Sequence, residues 1–421
     1  MSAPAKAASV HVPAMAWWIL ALSSLDSVLG MIDRQAVAIL KTTLKARFGI
    51  DDSEYGVLVT AFLAAYAIFF TVCGRLIDRF GSRKMLTIFI LIWSTATMLS
   101  GIARSFEELL AYRALLGAAE AGLTPATIYA LVRWFPKERL ATAYGLRGPI
   151  IALGPILAPP VVAGLALTMG WHAAFLVPGA VGFVFALAWW LSDKDAPAEA
   201  AARAASNKST FKAILKNRLL WGLVAARMIS DPLWFFIQSW MAGYFQEVLG
   251  LTLAQVGSLL WIPPLGSAVL AIGVGAWSDR MVRAGKEVTL SRVYALQAVA
   301  CLAPLALLIP LTSSVPIVLA LFSILMVMCL SWLTLTNVLV ATLFDRSSVA
   351  TAAGVLNALG TVGAAVFNFF AGSIVQEYGY GAIFAIVAFL HPLAAVVLYL
   401  FFGRSKPRAA TTAGATLEQT G

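Results

Sequence analysis

The sequence predicts an all-α membrane protein, with twelve transmembrane helices in two six-helix bundles. Hydrophobic residues make up 61% of the 421 and charged ones only 12%, for a mean hydropathy of +0.86. A soluble domain carries about 25% charged residues. Apolar stretches approaching or exceeding the roughly 20 residues that cross a bilayer recur twelve times, and an internal repeat divides them into halves.

In chain order the spans fall at about 15–38, 55–77, 84–103, 108–133, 143–168, 172–192, 219–245, 255–278, 289–310, 315–343, 348–374 and 379–402. The apolar run opening the first imitates a secretory signal. It continues into Asp26 and Asp33 with no small-residue cleavage pattern, so it reads as an uncleaved span. The chain thus divides into a tail at 1–14, a first bundle at 15–192, a linker at 193–216, a second bundle at 217–402 and a tail at 403–421. The linker stretch "DKDAPAEAAARAASNKS" (Asp193 to Ser209) is polar and Ala-rich, as a solvated, substitution-tolerant connection would be.

A formal charge of +10 raises the question of a nucleic-acid partner, but the placement of the charges answers it. With both termini cytoplasmic, 23 of the 30 Lys and Arg fall on the inner side, concentrated at 75–84, 133–147, 194–218 and 280–292. That bias fixes orientation by the positive-inside rule and leaves no charge needing a nucleic acid. Lys41, Lys45, Arg47 and Arg104 lie outside; Arg34, Arg113 and Arg227 lie within spans.

The repeat has two parts. "YGVLVTAFLAAYAIFFTVCGRLIDR" and "VGSLLWIPPLGSAVLAIGVGAWSDR" share Gly56/Gly257, Gly74/Gly275, Asp78/Asp279 and Arg79/Arg280 at an offset of 201. "FPKERLATAYG" and "FDRSSVATAAG" share Phe, Ala-Thr-Ala and Gly at an offset of 209. Parallel repeats of six helices are the plan of transporters whose halves rock about a midplane site. The loop "GRLIDRFGSRK" (Gly74 to Lys84) resembles the signature between the second and third helices of the major facilitator superfamily. In it Gly74 would permit close helix approach, and Asp78 would act as a cytoplasmic latch. Gly74, Asp78, Arg79, Asp279 and Arg280 are therefore the expected cytoplasmic gate.

Charges inside the membrane need a reason. Asp33 and Arg34 sit on the first span. Arg113 and Glu120, seven apart and so on one helix face, sit on the fourth. Guanidinium forks hold carboxylates through paired hydrogen bonds, and acids withdrawn from water can carry protons. Together they suggest proton-coupled movement of an organic anion; the competing reading is a set of structural ion pairs. Asp26, one heptad before Asp33, is either a further proton group or solvated from an aqueous opening. Arg227 and Asp231, four apart on the seventh span, read as a structural pair.

The segments "WWILALSSLDSVLGMIDRQ", "YGVLVTAFLAAYAI", "RALLGAAEAG", "RWFPKERLATAYGL", "GWHAAFLVPGAVG" and "SDPLWFFIQSWMAGYF" together resemble the anion:cation symporter family, and its hexuronate and aldonate transporters in particular. The likeness spans about 15–402 and is densest in the first half. It implies proton-driven uptake of sugar acids across a bacterial inner membrane. Asp33 and Glu120 would be the proton-coupling acids, Arg34 and Arg113 the anion-handling arginines, and Tyr66 a substrate contact. The chain departs from the family at Gly30 and Met31, where an Asn-Tyr pair is common, at Phe70 and Val72, and in "RGPIIALGP" at the start of the fifth span.

Aromatics and amides in the second half (Trp234, Phe235, Gln238 and Trp240, Trp332 and Asn337, Asn357 and Asn368) suit a sugar acid. They suit interfacial belts and helix–helix hydrogen bonds as well. Gln238, Trp332 and Asn357 are the expected lining residues, and His172 and His391 read as structural. Cys73, Cys301 and Cys329 have neither metal nor redox spacing. No phosphate loop, metal-ligand spacing or nucleophile–base pattern offers catalysis. The expectation is a monomeric transporter in a lipid bilayer, not an enzyme, with protons as its coupling ion and no cofactor or metal. The alternative function is a proton-coupled exporter of drugs or metabolites, against which Arg34 and Arg113 speak. A ligand sensor would need a long output domain, and tails and linker are short.

Overall fold

A computed structural model describes residues 12–136, 139–194, 214–344 and 348–403. Most of the linker, most of both tails and the Arg346 loop lie outside these residues.

The spans are Ala14–Ile39, Asp52–Phe80, Ser82–Gly101, Phe106–Trp134, Leu140–Met169, Ala173–Ser192, Arg218–Glu247, Leu253–Arg283, Val288–Leu311, Val315–Leu343 and a final run Val349–Phe402. That run has 54 residues, roughly 80 Å at about 1.5 Å each. Its break at Gly379, in the left-handed region at φ 73°, divides it into an eleventh and a twelfth span. Gly170, which ends the fifth span at φ 85°, lies 209 residues earlier. The second repeat offset thus extends to the turn that reverses the chain.

The first offset extends likewise. Asp51 and Glu54 form a reciprocal capping box at the start of the second span. Thr252 and Gln255, each 201 residues later, form one at the start of the eighth. Such boxes satisfy amides that the first turn of a helix leaves without intrahelical partners.

The halves meet along the second and eleventh, the fifth and eighth, and the first and seventh spans. At the first two seams a repeat glycine lets backbones approach. A Cβ on Gly56 would come within 2.9 Å of Gly372 Cα, and one on Gly257 within 2.6 Å of Ala163 Cβ. Gly74 was expected in this role, but a Cβ there would meet nothing within 4 Å, and the same holds for Gly275. The close glycine packing lies at the opposite end from the basic loops.

Two expectations of the charge map are corrected. Arg147, assigned to a basic loop, lies within the fifth span and donates to Ser27 Oγ at 3.0 Å. Asp193, assigned to a tolerant linker, is fully buried. It accepts from Ser82, Arg133 and Trp134, tying the third and fourth spans to the end of the sixth. An acid this enclosed by donors is part of the bundle.

Candidate functional site

Between the halves lies a cavity lined by Arg34, Gln35 and Met31 of the first span, Tyr55 and Phe62 of the second, Arg113 of the fourth, and Trp234, Phe235 and Gln238 of the seventh, among others. Most of the wall is apolar, and both arginines border it.

The first and fourth spans place the charges. Glu120 ends the segment Phe106–Glu120, and the helix resumes only at Leu123. Its carboxylate, with no exposure, pairs with Arg34, whose side chain is still 26% exposed. The Arg34 guanidinium lies over the rings of Tyr66, at 4.9 Å, and Phe62, at 5.2 Å. Arg113 covers Phe62 from 4.9 Å and donates to the backbone oxygen of Asp33 at 3.4 Å. Phe62 therefore underlies both cations, a desolvated setting in which cation–π attraction is strongest. The Asp33 carboxylate is buried, and neither of its oxygens has a hydrogen-bond partner. So Arg34, Arg113, Glu120, Asp33 and Tyr66 are brought together, but only the two arginines border the cavity; Tyr66, expected as a substrate contact, lies under Arg34, and the two acids are buried beside the arginines.

In the second half, Gln238 reaches the cavity and accepts from Gln35 at 3.2 Å across the halves. Trp332 does not line it. That ring is 1% exposed, donates to Leu296 O at 3.1 Å and packs edge-on against His391. Asn357 is also otherwise engaged: it accepts from Arg227 at 3.2 Å and donates to Asn337 at 3.3 Å. Arg227 further binds Asp231 at 2.6 Å and Thr336 at 3.0 Å. These bonds tie the tenth and eleventh spans to the seventh; the expectation that Trp332 and Asn357 line the cavity is corrected, for Trp332 is packed within the second bundle and half-buried Asn357 does not border the cavity. Asn368 is bonded to Trp240, and His172 to Gly101 O.

The expected gate residues lie at the basic-loop end. Asp279 pairs with Arg292 within its own half at 2.5 Å, Arg79 lies over Phe80, and Arg280 is exposed. Asp78 is half-buried near the end of the second span. Among the described residues no group of His, Cys, Asp and Glu is arranged to hold a metal.

The closed end holds what sequence reasoning missed. Lys41, expected in an outside loop, is fully buried. Its ammonium meets Asp52 at 2.6 Å, Glu247 at 2.7 Å and Tyr380 OH at 2.7 Å. The rings of Trp240, Tyr380 and Tyr55 surround it at 4.5 to 5.2 Å. Burial pushes the Lys41 amine below the usual lysine range, against the pull of Glu247 and Asp52. For the shallower Lys45, burial acts in the same direction, but Asp52 and Glu247 outweigh it and hold the amine above that range. Thr42–Gln246 and Ser53–Ser373 hydrogen bonds complete the seal. The available signal was Lys41, Asp52 and Glu247 at neighbouring helix ends; their meeting depends on which ends close.

The Major Facilitator Superfamily family model matches residues 24–332. The hexuronate transporter of Escherichia coli (strain K12) is 27% identical over 409 residues, covering 92% of this chain and 94% of that protein. The galacturonate transporter of Dickeya chrysanthemi is 28% identical over 271 residues, covering 60% of this chain and 79% of that protein. Among solved structures, an inward-facing, unoccupied bacterial homologue of the human lysosomal transporter Spinster superposes with a TM-score of 0.76 at 18% identity, over 95% of this chain and all of that one. A D-xylose–proton symporter does so at 0.73 and 15% identity, over 91% and 97%. These structures share the fold.

Proposed function

We propose that this chain, which belongs to the Major Facilitator Superfamily, is a proton-coupled symporter of a sugar acid of the hexuronate or aldonate class, working by alternating access. It is a secondary transporter of sugar-acid type, not an enzyme, and its substrate is a small organic anion. The observation that carries the proton-symport reading is the cavity wall where Arg34 and Arg113 face the ligand space while Asp33 and Glu120 stand behind them. Arginine forks take the carboxylate, Gln35 and Gln238 meet hydroxyls, Trp234 and Phe235 pack on the ring face, and Tyr66 holds Arg34 in place.

The positive-inside bias puts the basic, open end in the cytoplasm, so the conformation described is inward-facing and the Lys41 cluster is the outer seal. The protein works as a monomer in the bacterial inner membrane, with both termini inside. Gly74, Asp78, Arg79, Asp279 and Arg280 become the inner gate only when the halves close at that end.

The test is uptake into proteoliposomes under an imposed pH gradient, across galacturonate, glucuronate, galactonate, glucarate and small aromatic acids. Gradient-dependent accumulation of a hexuronate or aldonate is expected. Accumulation that ignores the gradient, or a preference for uncharged sugars, defeats the proposal.

A further inference from the structure

The first span carries an acid that this cycle leaves unused. Asp26 is 1% exposed, and neither carboxylate oxygen meets a hydrogen-bond partner within the protein. It lies on the helix stripe Asp26, Gly30, Arg34, each one turn from the next. Glu120 stands against the middle of that stripe: a Cβ on Gly30 would sit 3.7 Å from Glu120 Oε1. That oxygen is the one Arg34 leaves unpaired. It therefore faces the turn between Arg34 and Asp26, where the absence of a side chain at Gly30 leaves the way clear.

Other orphaned polar atoms mark the same region. Asp33, one heptad from Asp26, is faced by the Thr97 hydroxyl of the third span, its one side-chain donor there, and neither group meets any partner at full hydrogen-bond geometry. Trp93 Nε1 and Ser94 Oγ, one turn before Thr97, are also unpartnered. The first and third spans run in the same direction, so this turn flanks the stretch from Asp33 back toward Asp26. At the far end, Arg147 enters from the basic end of the fifth span and donates to Ser27, the residue after Asp26. The charged groups around Asp26 are thus Asp33 on its own span, Glu120 on the fourth and Arg147 on the fifth. Carboxyl groups this deep with no protein donor at full hydrogen-bond geometry hold a proton or bond to water.

We infer that Asp26 is the relay through which the proton carried by Asp33 and Glu120 leaves toward the open end, with Arg147 as the counter-charge that lets Asp26 release it. Asp26, protonated at rest, gives its proton to water at the open end and is reloaded from the Glu120 or Asp33 carboxyl; only O–H bonds form and break. The relay rests on the proton-symport reading.

Two measurements test it. In proteoliposomes with galacturonate as probe, Asp26→Asn keeps exchange across preloaded vesicles within about twofold of wild type but lowers gradient-driven net uptake about tenfold or more. Asp26→Glu restores net uptake. Arg147→Met gives the same split, and adding it to Asp26→Asn costs nothing further, as expected of residues acting on one step. In purified protein without substrate, an infrared band of a protonated carboxyl persists in the Asp33→Asn/Glu120→Gln variant and disappears when Asp26→Asn is added. A spectrum that Asp26→Asn leaves unchanged overturns the relay. So does loss of exchange and net uptake together in both Asp26→Asn and Asp26→Glu. Because the infrared measurement needs no substrate, a wild type that fails to move galacturonate would count against the symport reading alone.

Discussion

Arg34 divides its guanidinium between Glu120 and the cavity, while Arg113 has only a long bond to a backbone oxygen and the face of Phe62. Both can offer a planar fork to a carboxylate, which a lysine in the same place cannot. Arg34→Lys and Arg113→Lys should each weaken substrate binding about tenfold or more in equilibrium assays. Unchanged affinity in both would remove the clamp. Asn357 and Trp332 belong to a different class of residue, since their polar groups are consumed inside the second bundle. Asn357→Ala should lower the melting temperature with substrate affinity unchanged. Arg227→Met should do so more severely, because stranding buried Asp231 costs about 3–5 kcal/mol. Loss of affinity at an unchanged melting temperature in Asn357→Ala would return that residue to the cavity. The first-half charges were legible from sequence because a charge in an apolar span is anomalous wherever it points. An amide or tryptophan is not anomalous, so its direction had to come from the structure.

At the scale of the element, the helices were legible because a bilayer demands long apolar runs, and the halves because the repeat leaves Gly, Asp and Arg in register. The capping boxes at Asp51 and Thr252 do not stand out as a repeat in the sequence, since their residues differ in identity while serving one purpose. The Lys41 seal was hidden for another reason: it joins helix ends from the two halves, and a charge beside a span reads as solvated until its neighbours are known. Its removal should favour the outward-open state. Lys41→Met removes the buried cation and leaves only the shallower Lys45 to bridge Asp52 and Glu247 across the seam, so cysteines placed near Ser53 and Ser373 should become more reactive to a membrane-impermeant reagent from outside, and more so when Lys45→Met is added. Unchanged labelling would show that glycine packing, not the ion cluster, holds the seam. At the start of the ninth span, Glu287 caps the amides of Leu290 and Thr289 at 2.7 and 3.0 Å. Burial alone would raise its carboxyl; those amides outweigh it and hold the group below the usual glutamate range. The cap's contribution is therefore complete above the unfolded value and lost as pH falls through the folded one. Glu287→Ala should cost about 1 kcal/mol or less at neutral pH, and nothing measurable once acid has protonated the cap. A cost that grew in acid would contradict this sign.

For the whole molecule, the distribution of contacts couples chemistry to motion. The seal at one end and the cavity share the first and seventh spans: Lys41 follows the helix that carries Asp33 and Arg34, and Glu247 ends the helix that carries Trp234 and Gln238. A rigid rotation that loosens the seal therefore moves both walls of the site. The direction of work follows from charge. A monoanion entering a negative interior is opposed by roughly 2.3 kcal/mol per 100 mV, whereas one proton carried with it makes the step electroneutral and leaves the pH gradient to drive accumulation. In the proposed cycle Asp33 and Glu120, both buried, load that proton, and a substrate carboxylate competing for Arg34 would free Glu120. Asp33→Asn and Glu120→Gln should therefore abolish concentrative uptake under a pH gradient, while at least one still exchanges substrate across preloaded vesicles. That split separates coupling from binding, because exchange needs the site and the rocking motion but no net proton movement. If both neutral variants still concentrate substrate in response to the gradient, the acids are structural and the coupling group lies elsewhere.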